Sequence, residues 1–363
     1  MRETDGSPES VDNDPVEQAL PRRRPTMVDV ADRAGVSQTT VSLVLNGMHH
    51  VRISEATRKR VLRVAKELGY RLVKRGAPSA TVDTRVIGLV VDEMSTDPWM
   101  AQALDGVREK AWAHGLTVSV GVARGDPEME ETLFSQLAQL PLLGLIYGTI
   151  QTRQIEPPAA LARNPTILMN CHTADRSIAS IVPGEVLGGR TATERLIAAG
   201  HRRIGHIQGE VWMEASRDRL KGYRQALAGH EIPFDPALVR PGNWEPSAGF
   251  QQTLSLMAMD NPPTAIFCSN DLMALGAYDA LHQLGKRIPE DVSVVGYDDR
   301  EIARFARPPL TTVLLPHFEM GMLAAEYLID HAGGFNRRPV QVKVECPLVE
   351  RESVLAPAVP GSM

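Results

Sequence analysis

Six short polar side chains crowd into one ten-residue stretch: Ser37, Gln38, Thr39, Thr40, Ser42 and Asn46, with Leu43 among them. What hydroxyls and amides offer is hydrogen bonding, the chemistry needed to read base edges and to hold phosphate oxygens. Residues 22–75 hold thirteen Lys and Arg against four acids, a net +9 in a chain whose net charge is −5. A compact basic module on an acidic body suits a polyanionic partner. A solvated basic helix face is the plainer reading of the charge alone.

The elements around these residues sharpen that choice. Thr26 is placed to cap a first helix, with Asp29 completing a short capping box. Val28, Val30, Ala31 and Ala34 give that helix an apolar stripe, and Gly35 ends it. Ser37 caps a second helix almost at once, with Val41, Val44 and Leu45 inward and Asn46-Gly47 as its stop. Ser54 caps a third, in which Val61, Leu62, Ala65 and Leu68 pack and Gly69 terminates. Two short helices joined by a tight turn form a helix-turn-helix whose second helix reads DNA. Gln38, Thr39 and Leu43 then face the major groove, and Ser37, Thr40, Ser42 and Asn46 suit phosphates. An all-helical scaffold with no DNA role shares the helix pattern.

From residue 86 apolar runs alternate with amphipathic stretches. VIGLVV, LTVSVGVA, LLGLIYG, PTILMN, RRIGHIQG, PTAIFCS and DVSVVGY read as strands separated by helices. Such alternation predicts a doubly wound α/β architecture with parallel sheets. There are too many strands for one small sheet, so two lobes are expected, with a ligand cleft at the strand carboxyl ends. The three cysteines, Cys171, Cys268 and Cys346, are scattered and show neither disulfide nor zinc spacing. No GxSxG, P-loop, HExxH or CxxC motif occurs, so an enzyme is not expected, nor any cofactor or metal. The polar start carries no secretory signal and no run reaches membrane-spanning length, which points to the cytoplasm. The extension 1–25 and the tail 354–363 are expected to be disordered.

TMVDVADRAGVSQTTVSLVLNG followed by ISEATRKRVLRVAKELGYR resembles the headpiece of the lactose/galactose repressor (LacI/GalR) family, and the likeness continues along nearly the whole chain after residue 25. The resemblance implies a headpiece over 26–71, a hinge over 72–85, and a two-lobed, periplasmic-binding-protein-like body over 86–353 for effector binding and dimerisation. The first lobe takes about 86–182 plus a return near 314–344, and the second about 183–313 plus the last strand. The implied DNA-binding set is Thr26, Ser37, Gln38, Thr39, Thr40, Ser42, Leu43 and Asn46. Leu43 departs from the polar residue often found there and cannot make arginine's bidentate guanine contact. The hinge departs too: Leu72 stands where a proline is usual and Ser79 where a leucine wedge is usual. With Gly76 and Pro78 nearby, a flexible tether is expected.

The implied partners are double-stranded operator DNA, a second copy of the chain in a homodimer, and a small-molecule effector that controls repression. For the effector site the resemblance implies Asp97, Trp99, Arg217, Trp244, Asn270 and Asp298, with Arg219 forming a structural ion pair. PGE at 183–185 replaces the usual Asp-Asn pair, so contacts at that edge do not carry over. An arginine, an amide, carboxylates and aromatic faces suit a polyhydroxylated ring. A sugar is the first expectation and a purine-like base the second. A ligand sensor with weak or lost DNA binding is the rival class.

Overall fold

In the computed structural model the described residues are 26–45, 53–68, 86–95, 98–159, 161, 164–332 and 339–357. Asn46, the hinge residues Leu72, Gly76, Pro78 and Ser79, Asp97 and the extension 1–25 therefore lie outside the described residues. The chain divides into two units, Met1–Leu72 and Val73–Met363.

Three helices make the first unit: α1 (Met27–Ala34), α2 (Gln38–Leu45) and α3 (Glu55–Leu68). The Thr26 hydroxyl accepts the Asp29 amide at 3.4 Å, and the Thr26 amide donates to the Asp29 carboxylate at 2.7 Å, closing the capping box. Gly35 (φ 63°) takes the left-handed turn that stops α1. Ser37 and Ser54 cap the next two helices, their hydroxyls accepting the amides of Thr40 and Thr57, each at 3.1 Å. The core is Met27, Val30, Ala31, Ala34, Val41, Val44, Val61, Val64 and Ala65. Two expected core residues fall outside it: Val28 and Leu62 are 46% and 48% exposed. Each lies one residue, about 100° of helix, beyond a buried stripe with the 3–4 residue spacing, which Met27 and Val64 fill instead.

The second unit begins with β1 (Val86–Val91), α4 (Trp99–Ala113), β2 (Thr117–Val122), α5 (Pro127–Leu137), β3 (Leu142–Gln154), β4 (Thr166–His172) and β5 (Ala179–Pro183). There follow α6 (Glu185–Ala198), β6 (Ile204–Gln208), α7 (Glu214–Gly229), β7 (Val239–Pro241), α8 (Pro246–Met257), β8 (Ala265–Cys268) and α9 (Asp271–Gln283). The series closes with β9 (Ser293–Val295), α10 (Glu301–Phe305), β10 (Thr312–Val313), α11 (His317–Asp330), β11 (Gln341–Val344) and β12 (Leu348–Val349).

These build two parallel sheets, ordered β11-β5-β4-β3-β1-β2 and β7-β6-β8-β9, with β10 and β12 as a short antiparallel pair. Strand β1 explains its unbroken apolar run: Ile87, Leu89 and Val91 enter one core and Val90 the core on the opposite face. The chain passes between the lobes three times, at 183–185, 313–317 and 344–348. The expected free tail needs correction at its start. Val354 is buried, the Leu355 amide donates to the Ser293 hydroxyl at 3.0 Å, and the Leu355 carbonyl lies 2.9 Å from His201 Nε2. The buried Val354 side chain and the Leu355 backbone, whose amide and carbonyl both bond the Ser293 hydroxyl, dock the start of the tail onto the second lobe.

Three helix pairs cross on glycines. A Cβ added at Gly106 of α4 would lie 2.0 Å from the Phe318 carbonyl of α11, and one at Gly321 of α11 2.0 Å from the Ala103 carbonyl of α4. Gly189 and Gly222 join α6 to α7 in the same reciprocal way, and Gly249 and Gly276 join α8 to α9. Backbone-to-backbone approach of this kind fixes where the side chains of α7 and α9 reach.

Candidate functional site

The headpiece presents its polar stretch unevenly. Ser37 is exposed, and Gln38, Thr39, Thr40, Leu43 and Thr26 are half-buried. Ser42 is only 2% exposed, so a hydroxyl expected to meet phosphate is instead inside the headpiece. It lies about 100° of helix from Val41, at the margin of the inward face, and is nonetheless buried in the folded headpiece. The hydroxyls of Ser37 and Thr40 lie 2.9 Å apart, tying the start of α2 together.

In the second unit a cavity of about 370 Å³ is lined from both lobes at the carboxyl ends of their strands. Trp99, Trp244, Asn270 and Asp298 all line it. Arg217 does not: it is exposed on the outer side of α7. Arg219 lines the cavity instead, only 3% exposed. The two arginines sit two residues apart, about 200° around the helix. Arg219 lies three and four residues before the buried Gly222 and Tyr223, and that spacing is the signal that separates it from Arg217.

Arg219 does form the expected ion pair. Its Nε and Nη2 donate to Glu185 Oε2 and Oε1 at 2.7 and 2.9 Å, a bidentate pair between two side chains each 3% exposed. Nη1 donates to the Ser269 carbonyl and lies 3.5 Å from Asp298 Oδ1. The guanidinium rests 3.7 Å above the Tyr297 ring. Burial, the largest single effect, would lower its pKa; the Glu185 charge and hydrogen bond, with Tyr297 and Asp298, together outweigh burial and raise it. Glu185 belongs to the PGE segment, and only the folded chain reveals it as the partner that neutralises the cavity arginine.

Trp244 adopts φ 69° and lays its indole over Gly209, where a Cβ would fall 2.0 Å from the ring. Its Nε1 lies 2.8 Å from Met213 Sδ, and its carbonyl receives Asn270 Nδ2 at 2.9 Å. Asn270 Oδ1 accepts the Met273 amide at 2.9 Å, capping α9. Asn270, expected as a ligand contact, is thus engaged at both ends and holds Trp244 and α9 in place. Asp298 (φ 110°) is 5% exposed, with Arg300 Nε 3.6 Å from its Oδ2. Non-glycine residues held at positive φ beside a cleft are the kind of backbone strain that gathers at binding sites. Asp271, beside this group, is fully buried and accepts Thr312 Oγ1 at 2.6 Å. Burial and the Asp298 charge raise its pKa.

The first lobe adds Thr152 and Asn170, joined at 2.5 Å, which sequence reasoning missed along with Arg300 and His317. Arg300 lies 4.7 Å over the Trp99 ring, and His317 stacks on the same ring with centroids 5.9 Å apart. Among the described residues no cluster of His, Cys, Asp and Glu is arranged to hold a metal ion. No described helix is long and apolar enough to cross a membrane.

Comparison with known proteins places both units. Residues 26–71 match the model "Bacterial regulatory proteins, lacI family", and residues 193–354 match "Periplasmic binding protein-like domain". The chain is 33% identical over 330 residues to the ribose operon repressor of Haemophilus influenzae, covering 91% of this chain and 98% of that one. It is 35% identical over 344 residues to the transcriptional regulator CelR of Thermobifida fusca, covering 92% and 99%. Among solved structures it resembles a CelR–cellobiose complex (34% identity, TM-score 0.62, 91% of this chain and 100% of that one). It also resembles the lac repressor dimer bound to operator and the anti-inducer ONPF (30% identity, TM-score 0.64, 92% and 100%).

Proposed function

This chain belongs to the lacI family of bacterial regulatory proteins and is a DNA-binding transcription regulator, and on that premise we propose that it is a homodimeric, cytoplasmic repressor whose effector is a neutral sugar. In this reading Gln38, Thr39 and Leu43 read bases in successive major grooves of a near-palindromic operator, while Thr26, Ser37 and Thr40 hold its backbone. The sugar lies in the cavity between Trp99 and Trp244, with Arg219, Arg300 and Asp298 on its hydroxyls. It shifts the balance between DNA-competent and incompetent arrangements of the lobes.

The observation that carries the sugar reading is the neutralised arginine. Glu185 takes two edges of the Arg219 guanidinium, and Asp298 sits between Arg219 and Arg300. Buried cations already matched by carboxylates hold no excess charge for an anionic ligand, yet they still offer donors and acceptors to vicinal hydroxyls. Two indoles cover apolar ring faces. The test is footprinting of purified protein on the DNA beside its own gene, with and without ribose, glucose and cellobiose. A protected palindrome that one sugar weakens is expected. Protection unaffected by sugars but strengthened by a purine base would instead support a purine co-repressor.

A further inference from the structure

His317 is the first residue of α11, on the crossover that carries the chain from β10 in the second lobe back to the first. Its backbone amide donates to the Leu315 carbonyl at 2.9 Å, and its ring stacks on Trp99. The ring is 1% exposed and lines the cavity, and among the described residues neither Nδ1 nor Nε2 has a hydrogen-bond partner. A buried polar group left unpaired costs about 1–3 kcal/mol. The other buried histidines of the second lobe are better provided: His201 reaches Thr264 and Leu355, and His206 reaches the Phe267 carbonyl.

We infer that His317 is an effector-binding residue, one of whose unpaired ring nitrogens is completed by a hydroxyl of the bound ligand. This rests on the reading of the cavity as a sugar site and adds to it the group that meets the crossover. Burial, with the nearby Arg219 charge, pushes the imidazole down to about 3, so it is neutral at physiological pH. A neutral imidazole carries one N–H donor and one lone pair. A carboxylate or phosphate dianion only accepts and an ammonium only donates. A hydroxyl does both, and so satisfies whichever tautomer faces it.

The test compares wild type, His317→Phe and His317→Gln as full-length protein. Calorimetry against ribose, glucose and cellobiose at pH 7 gives affinity, and thermal unfolding without ligand gives apo stability. A net hydrogen bond supplies about 0.5–1.5 kcal/mol, so His317→Phe should bind the sugar about 2- to 12-fold more weakly. Its apo melting temperature should stay level or rise, because phenylalanine keeps the stack on Trp99 and removes the unpaired nitrogens. His317→Gln should retain more affinity than His317→Phe. Two results overturn the inference: a sugar that binds His317→Phe as tightly as wild type, or an apo melting temperature that falls in step with affinity. If none of the three sugars binds wild type, the sugar reading itself fails and this inference fails with it. A sugar that binds wild type and His317→Phe alike removes only the inference.

Discussion

Removing Glu185 should expose how much of the second lobe depends on one ion pair. In Glu185→Ala the Arg219 guanidinium keeps its burial but loses two hydrogen bonds of 2.7 and 2.9 Å. Breaking a buried pair by deleting one partner costs about 3–5 kcal/mol. Asp298 remains 3.5 Å from Nη1 and the Ser269 carbonyl is still in contact, which places the cost near the lower end, about 3 kcal/mol. For a unit of this size that is a fall in melting temperature of roughly 6–12 °C. Calorimetric unfolding at pH 7.5 reads it directly. The double variant Glu185→Met, Arg219→Met should recover much of the loss, because a hydrophobic pair leaves no stranded charge. Glu185→Gln should also give glucose 6-phosphate a purchase on Arg219 that wild type denies it. A Glu185→Ala protein melting within a degree of wild type would refute the reasoning, since the guanidinium would then have been stabilised by something other than Glu185.

Three further outcomes follow from particular contacts. His206 is fully buried between Tyr223 and Phe267, and burial pushes its imidazole down to about 3, so below its ordinary value of 6.5 the unfolded chain takes up a proton that the folded chain refuses. Stability present above pH 6.5 is thus lost as pH falls toward 3, and His206→Phe should reduce the loss between pH 7 and pH 5 by about 2 kcal/mol in urea titrations; an unchanged difference would refute it. Gly209→Ala places a methyl against the Trp244 indole and should weaken sugar binding about 2- to 10-fold by calorimetry, with equal affinity counting against Trp244 as a platform. Leu43→Arg should change base preference at one symmetric pair of operator positions by about 1–3 kcal/mol in a binding-site selection, and an unaltered selected sequence would remove Leu43 from the reading face.

Much of the fold was legible because its causes are local. A capping box needs only Thr26 and Asp29 at the right spacing, and a left-handed stop needs only Gly35. Parallel strands buried on both faces announce themselves as runs such as VIGLVV. The errors were of phase or of reach. Val28 and Leu62 are apolar but one residue off the stripe, while Ser42, polar and at the margin of its helix's inward face, is buried by the packing of the folded headpiece. The tail 354–357, Val-Leu-Ala-Pro, is too short to carry a pattern that predicts its docking on Ser293 and His201.

For the site, the sequence by itself determined the chemistry on offer: a short polar reading helix in a basic module, and indoles, amides and carboxylates at strand ends. Only the tertiary structure decided which of these meet. The Gly189–Gly222 crossing brings α6 against α7, and through it Glu185 finds Arg219 rather than Arg217. Trp99 and His317 open two helices far apart in sequence and stack only because α4 and α11 cross on Gly106 and Gly321. Periodicity records which face of an element turns inward, but not what waits for it there. Pairing across a cavity is set by backbone crossings that carry no local signal beyond a glycine.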